Sequence, residues 1–229
     1  MEDTKAVATG QETARLPRGR LLVIGLALIA ASTALGAWIL LHGTPPFIVD
    51  VWWNDLLLSW SSSFMLSFSL VMNFLGGGWV GVFAVPLAVT LTLVFLRRPW
   101  SAAYFVASSA ASALLVQLLK HTFGRARPED IQVVSDYGSY PSGHVANAAT
   151  IAAAVAVVFP RLLVFIGGGV YIALMALSRT YLHAHWLSDT LGGAMAGAGV
   201  ALVLAAAFIG LVRREPVKRV TIPKKETSG

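Results

Sequence analysis

The sequence predicts an all-α polytopic membrane protein with six transmembrane helices and one further interfacial helix. Three observations carry that expectation: a composition too apolar for water, long runs without charge, and an uneven placement of Lys and Arg. Of 229 residues, 56% are hydrophobic and only 12% are charged, against roughly 25% charged in an average soluble domain. Disorder of the body of the chain is excluded by the same figures, because disordered segments are poor in apolar residues. There is no cysteine, which removes disulfides, thiolate nucleophiles and Cys-ligated zinc.

A helix crossing the hydrocarbon needs about 20 mostly apolar residues. The first run, Leu21–Leu41, carries no charge and is longer than the roughly 7–15 residues of a signal peptide's apolar region. We therefore expect an uncleaved anchor, preceded by a disordered N-terminus over residues 1–20. The next runs are Leu56–Leu75, Trp79–Leu96, Ser101–Leu119, Val145–Phe159, Leu162–Leu177 and Trp186–Val212. Lys and Arg accumulate on the cytoplasmic side. Arg15, Arg18 and Arg20 put the N-terminus inside, and the basic tail over 213–229 puts the C-terminus inside too. An even number of crossings follows. Arg97 and Arg98 also read as inside, which leaves one crossing between His42 and Leu96. Leu56–Leu75, rich in serine and with Trp52, Trp53 and Trp60 nearby, is the weaker candidate and is expected to lie in the outer interface. Residues 21–212 then form one six-helix membrane domain.

Four cations break the charge rule. Lys120, Arg125, Arg127 and Arg179 fall outside in this topology, as do all five histidines. Parity alone brings three distant segments together. Lys120 ends one span, His144 begins the next, and Arg179 emerges on the same face with His185 and Asp189 behind it. Lys120, Arg127 and Arg179 have no neighbouring carboxylate run to neutralise them. Ser142 and Gly143 precede a helix whose free N–H groups and dipole favour an anion. His185 and Asp189, four apart, share a helix face if the helix starts there. A carboxylate on one imidazole nitrogen leaves the other free to attack, and His144 adds a second titratable group. Cations, backbone donors and two histidines describe an anion under attack, and phosphate fits best.

Lys120-x6-Arg127-Pro128, Pro141-Ser142-Gly143-His144 and Ser178-Arg179-x5-His185-x3-Asp189 resemble the three-part signature of the type 2 phosphatidic acid phosphatase superfamily. The match is complete at every signature position and spans about a third of the chain. The resemblance implies a lipid phosphatase with His185 as nucleophile, Asp189 orienting it, and His144 as acid and then base. Lys120, Arg127, Ser142, Gly143 and Arg179 would hold the phosphoryl oxygens. It implies no metal and no other cofactor, a lipid phosphate as substrate, and an extracytoplasmic site in a multi-pass cell membrane protein. Phosphatidate, phosphatidylglycerophosphate and polyprenyl diphosphate all remain open as substrate, and the oligomeric state stays unread. A lipid phosphotransferase, or a non-catalytic lipid-binding or transport protein, would be the alternatives on the same scaffold.

The remaining residues have plainer readings. His183 is expected at the interface, and His121 and Arg125 in loop or headgroup contacts. Glu129, Asp130 and Asp136 read as a solvated loop rather than a metal site. The tryptophans read as interface belts, and Gly193 with Gly197 as a small-xxx-small contact for close helix approach. The basic tail is an inside anchor, not a nucleic-acid site.

Overall fold

A computed structural model describes residues 17–215. They form α1 (Arg18–Leu41), α2 (Ile48–Ser59), α3 (Ser63–Gly76), a π-helical turn (Val80–Ala84) running into α4 (Val85–Phe95), α5 (Pro99–Phe123), α6 (Gly143–Val158), α7 (Leu162–Tyr181) and α8 (Leu187–Val212). No strand occurs among the described residues. Four helices, α1, α5, α7 and α8, are long and apolar enough to cross a membrane. The stretch from Ser63 to Phe95 qualifies only as a pair bent by 52°, and α6 is apolar but has 16 residues.

Helix ends follow local chemistry. Gly124 takes the left-handed conformation that a side chain disfavours (φ 53°), and its N–H closes α5 on the Lys120 carbonyl at 2.9 Å. Pro160 follows α6, where a continuing helix would need its missing N–H. At the start of α8, Asp189 Oδ2 accepts from the Trp186 N–H at 2.8 Å, capping the first turn.

α8 is the axis of the bundle, packed along α1, α5 and α6. Two glycines make this possible. A Cβ on Gly193 would lie 2.4 Å from the Ser142 carbonyl oxygen, and one on Gly197 2.1 Å from that of Ala146. α6 and α8 therefore touch backbone to backbone, as the small-xxx-small spacing suggests. α7 covers α6 on its other side, and α3 packs on α7. The faces left over on α1, α4 and α7 are rich in exposed Leu, Val, Ile and Phe.

Three expectations change. Arg18 and Arg20, placed in a disordered N-terminus, are the first turn of α1; residues 1–16 and 216–229, with most of the basic tail, lie outside the described residues. The interfacial helix expected over Leu56–Leu75 is two helices, and the second packs into the bundle. Its serines looked like a wet surface, but Ser69 is buried, and Phe68 and Met72 pack against Tyr171, Ile172 and Met175 of α7. Ser69 and Asn73 of α3 face protein, whereas Ser63 and Ser67 are exposed. The structure thus gives four full-length apolar helices, one bent pair and one short helix where the sequence suggests six crossings.

Candidate active site

The last turns of α5 and α7 and the first turns of α6 and α8 meet at one end of the bundle. The stretch 124–142 and the short turn after α7 close over them. Lys120, Gly143, His144, Arg179 and His185 line one cavity of about 1020 Å³. These five, up to 65 positions apart in sequence, are gathered at one end of the bundle, while Arg127, Ser142 and Asp189 lie beside the cavity without lining it.

His185 is buried in the turn before α8. Its Nδ1 lies 2.7 Å from the Ser139 carbonyl oxygen, which can only accept, so Nδ1 carries the proton. Nε2 then holds the lone pair, and Arg127 Nη1 donates towards it at 3.3 Å. Burial, then the Arg179, Arg127 and Lys120 cations, hold His185 well below the ordinary imidazole range. The ring is neutral at physiological pH, the form a nucleophile needs. The carboxylate expected to orient it is farther away: Asp189 Oδ2 is 3.8 Å from Nδ1, beyond hydrogen-bond reach. The direct orienting contact is a backbone carbonyl.

Asp189 is instead the end of a buried chain. Arg125 Nη1 donates to Asp189 Oδ1 at 2.6 Å and to Ser188 Oγ at 2.8 Å. Its Nη2 reaches Asp50 Oδ2 of α2 at 2.8 Å, and Asp50 in turn accepts from Ser188 N and Oγ. Arg125, expected in a loop or headgroup contact, is 1% exposed. One guanidinium satisfies two buried carboxylates and ties α2 to the first turn of α8.

His144 and Arg179 share a partner. His144 Nε2 lies 3.2 Å from the Asn73 backbone carbonyl, and Arg179 Nη1 donates to the Asn73 side-chain oxygen. The break after α3 permits this approach, since a Cβ on Gly77 would sit 2.2 Å from His144 Nε2. Asn147, one turn beyond His144, donates to the Gly81 carbonyl at 2.8 Å and fastens the break to α6. Lys120 and Arg127 meet on the loop: Lys120 Nζ and Arg127 Nη2 both donate to the Gly138 carbonyl at 2.8 Å and to Asp136 Oδ1, at 3.3 and 2.9 Å. Ser142 Oγ and Arg179 Nε are buried without a hydrogen-bond partner, two donors available to a bound anion. His183 is turned to α2, its Nδ1 2.7 Å from Asn54 Oδ1, and His121 stacks on Tyr137.

Residues 101–212, from the first turn of α5 to the end of α8, match the PAP2 superfamily. This segment is 112 residues long, just under half of the 229-residue chain. It is 34% identical over 124 residues to a lipid A 1-phosphatase of Rhizobium johnstonii, the match covering 48% of each chain. It is 32% identical over 123 residues to phosphatidylglycerophosphatase B of Bacillus subtilis, covering 48% of this chain and 61% of that protein. The chain thus spans about half the length of the curated relatives it matches. In fold it resembles Aquifex aeolicus LpxE (TM-score 0.61, 22% identity, 69% of this chain and 95% of that one). It also resembles a transmembrane PAP2-type phosphatidylglycerolphosphate phosphatase from Bacillus subtilis (TM-score 0.57, 23% identity, 86% and 98%).

Not every group at the site belongs to the PAP2 segment. Asn73 and Asp50 come from α3 and α2, ahead of it. Their only sequence signal is a polar side chain inside an apolar run, which expects a buried partner. Ser139 acts through its carbonyl, and a backbone oxygen has no residue type by which to find it.

Proposed function

We propose that this protein is an integral membrane hydrolase that removes a terminal phosphate from a lipid phosphomonoester or diphosphate at the extracytoplasmic face. One observation carries the reading: the cavity holding the cations and both histidines continues as an apolar groove. His185, His144, Arg179 and Lys120 line its polar end, while Val82, Phe83 and Leu87 of the α4 side and Val106 of α5 line the rest. Lys120 and Val106 are 14 residues apart on α5, or about 21 Å along a helix axis. A headgroup at the histidines would leave its hydrocarbon chain in that groove. The names of the two curated relatives, a lipid A 1-phosphatase and a phosphatidylglycerophosphatase, point to the same substrate class.

In this mechanism His185 Nε2 attacks phosphorus and the bond from phosphorus to the leaving oxygen breaks. A protonated His144 gives that oxygen its proton, so a neutral alcohol, or the lipid monophosphate from a diphosphate, departs. Water then attacks the phosphohistidine, His144 takes its proton, the P–N bond breaks, and inorganic phosphate leaves. Lys120, Arg127, Arg179, Ser142 Oγ and the Gly143 N–H hold the oxygens on which charge accumulates. Loss of one such donor costs roughly 2.7–4 kcal/mol of barrier. Fixed cations supply the electrostatics, so turnover should persist in excess chelator.

The topology that goes with this reading has six crossings: α1, the bent α3–α4 pair, α5, α6, α7 and α8. Both termini are then cytoplasmic. α2 lies in the outer interface, its exposed Ile48, Trp52 and Leu56 forming one stripe at four-residue spacing. The test is phosphate release by the purified protein in detergent or liposomes from phosphatidate, phosphatidylglycerophosphate and a polyprenyl diphosphate. We expect release from at least one, and none above background from His185→Ala. Undiminished release by that variant would eliminate the mechanism.

A further inference from the structure

Asp136 was expected to be a solvated loop carboxylate. It is a loop carboxylate with a half-exposed side chain, and it also pairs with two of the cations expected to hold the phosphoryl group. Its Oδ1 accepts from Arg127 Nη2 at 2.9 Å and from Lys120 Nζ at 3.3 Å, and its backbone carbonyl accepts from the same Arg127 Nη2 at 3.0 Å. These are the two cations of the first signature motif. Asp136 also lines the cavity that contains His144, Arg179 and His185. Burial alone would raise its carboxyl, but Lys120 and Arg127 overcome that and hold it below the usual carboxylate range.

The contact makes physical sense in the ligand-free protein. Lys120 is 1% exposed, and an ammonium taken out of water with no counter-charge is costly. The carboxylate neutralises it. Yet Asp136 is held only from one side, since its side chain is 55% exposed and neighbouring Val134 is fully exposed. The carboxylate can therefore swing towards solvent without uncovering any core.

A ligand must displace this internal anion to reach Lys120 and Arg127. A phosphodiester headgroup carries one negative charge, the same as the carboxylate, and gains little from the exchange. A terminal phosphate carries about −1.5 to −2 near neutral pH and offers three equivalent oxygens to the same donors, so it gains on both counts. From this geometry we infer that Asp136 is a specificity-determining residue: it occupies the Lys120–Arg127 pair until a terminal phosphate displaces it, and so excludes the phosphodiester headgroups that surround the site in a bilayer. The inference rests on the lipid phosphatase reading for its biological meaning, but its binding component does not.

The experiment uses the full-length protein and the variants Asp136→Asn and Asp136→Ala. Binding of inorganic phosphate and of orthovanadate is measured by calorimetry in detergent. Phosphate release from a phosphomonoester lipid is measured in mixed micelles with rising fractions of phosphatidylglycerol or, as the control diester, phosphatidylcholine. We expect both variants to bind the inorganic anions about tenfold tighter or more, the scale of removing a charge-assisted competitor, and to become inhibited by phosphatidylglycerol at fractions that leave the wild type unaffected. Unchanged or weaker anion binding in both variants, or the wild-type response to phosphatidylglycerol, would overturn the proposal. If no lipid is turned over by the wild type, the catalytic reading fails while the calorimetry still decides the role of Asp136.

Discussion

At the scale of single residues, the protonation state of His185 is what the site controls most tightly. Its proton sits on Nδ1 against Ser139, and the cations around it resist a second one. The His185 ring of the ligand-free protein should therefore titrate well below pH 6.5, the ordinary imidazole value; a ring titration followed by NMR and centred near 6.5 would contradict this. The sign for stability is the same. Because the folded-state value is depressed, the unfolded chain takes up the proton first, so this group's contribution falls as pH drops below about 6.5 and until folded His185 itself protonates. Asn73 is the other decisive residue. Asn73→Ala removes the side-chain acceptor from Arg179 but keeps the carbonyl facing His144. A hydrogen bond to a charged group is worth about 1.5–3 kcal/mol, so kcat/KM should fall roughly 10- to 150-fold. The phosphate-binding arm would register it as weaker vanadate inhibition. Lys120, His144, Arg179 and His185 are legible in the sequence because they are polar groups at the ends of apolar runs, and Arg127 because its spacing from Lys120 completes a motif. Asn73, Asp50 and Ser139 are not, because they act across tertiary contacts that no local pattern records.

At the scale of elements, the site depends on how closely α6 approaches α8. Gly193 and Gly197 bring the two backbones together and so set the depth at which Gly143 and His144 meet the turn before α8. Gly197→Ala places a methyl group 2.1 Å from the Ala146 carbonyl oxygen, and overpacking of this kind costs typically 1–3 kcal/mol. Its thermal midpoint in detergent should drop, whereas Gly210→Ala, with nothing within 4 Å of the new methyl, should leave the midpoint unchanged. Equal midpoints would mean that the helices part without cost. The long helices were readable from uncharged runs. α3 was not, because hydropathy counts a serine as wet whether it faces lipid, water or another helix. Only packing against α7 shows that Ser69 and Asn73 are interior groups. The three glycines at 76–78 mark the break in the sequence, but not that the break exists to admit the His144 ring.

At the scale of the whole molecule, α8 is fastened at both ends. Near the site, Asp189 is bound by Arg125. At the opposite end Glu215 reaches the start of α5, accepting from the Trp100 N–H at 2.5 Å, the Ser101 N–H at 3.0 Å and the Ser101 hydroxyl at 2.5 Å, an anion set on a helix N-terminus. Glu215→Ala should therefore lower the thermal midpoint in detergent by releasing this clasp, and an unchanged midpoint would show that the clasp contributes nothing. A rod pinned top and bottom cannot work as a piston. Cargo attached beyond residue 215 is therefore expected to leave phosphate release by the proposed site as it was, since the Glu215 contacts to α5 stand between that attachment and the turn that carries His185.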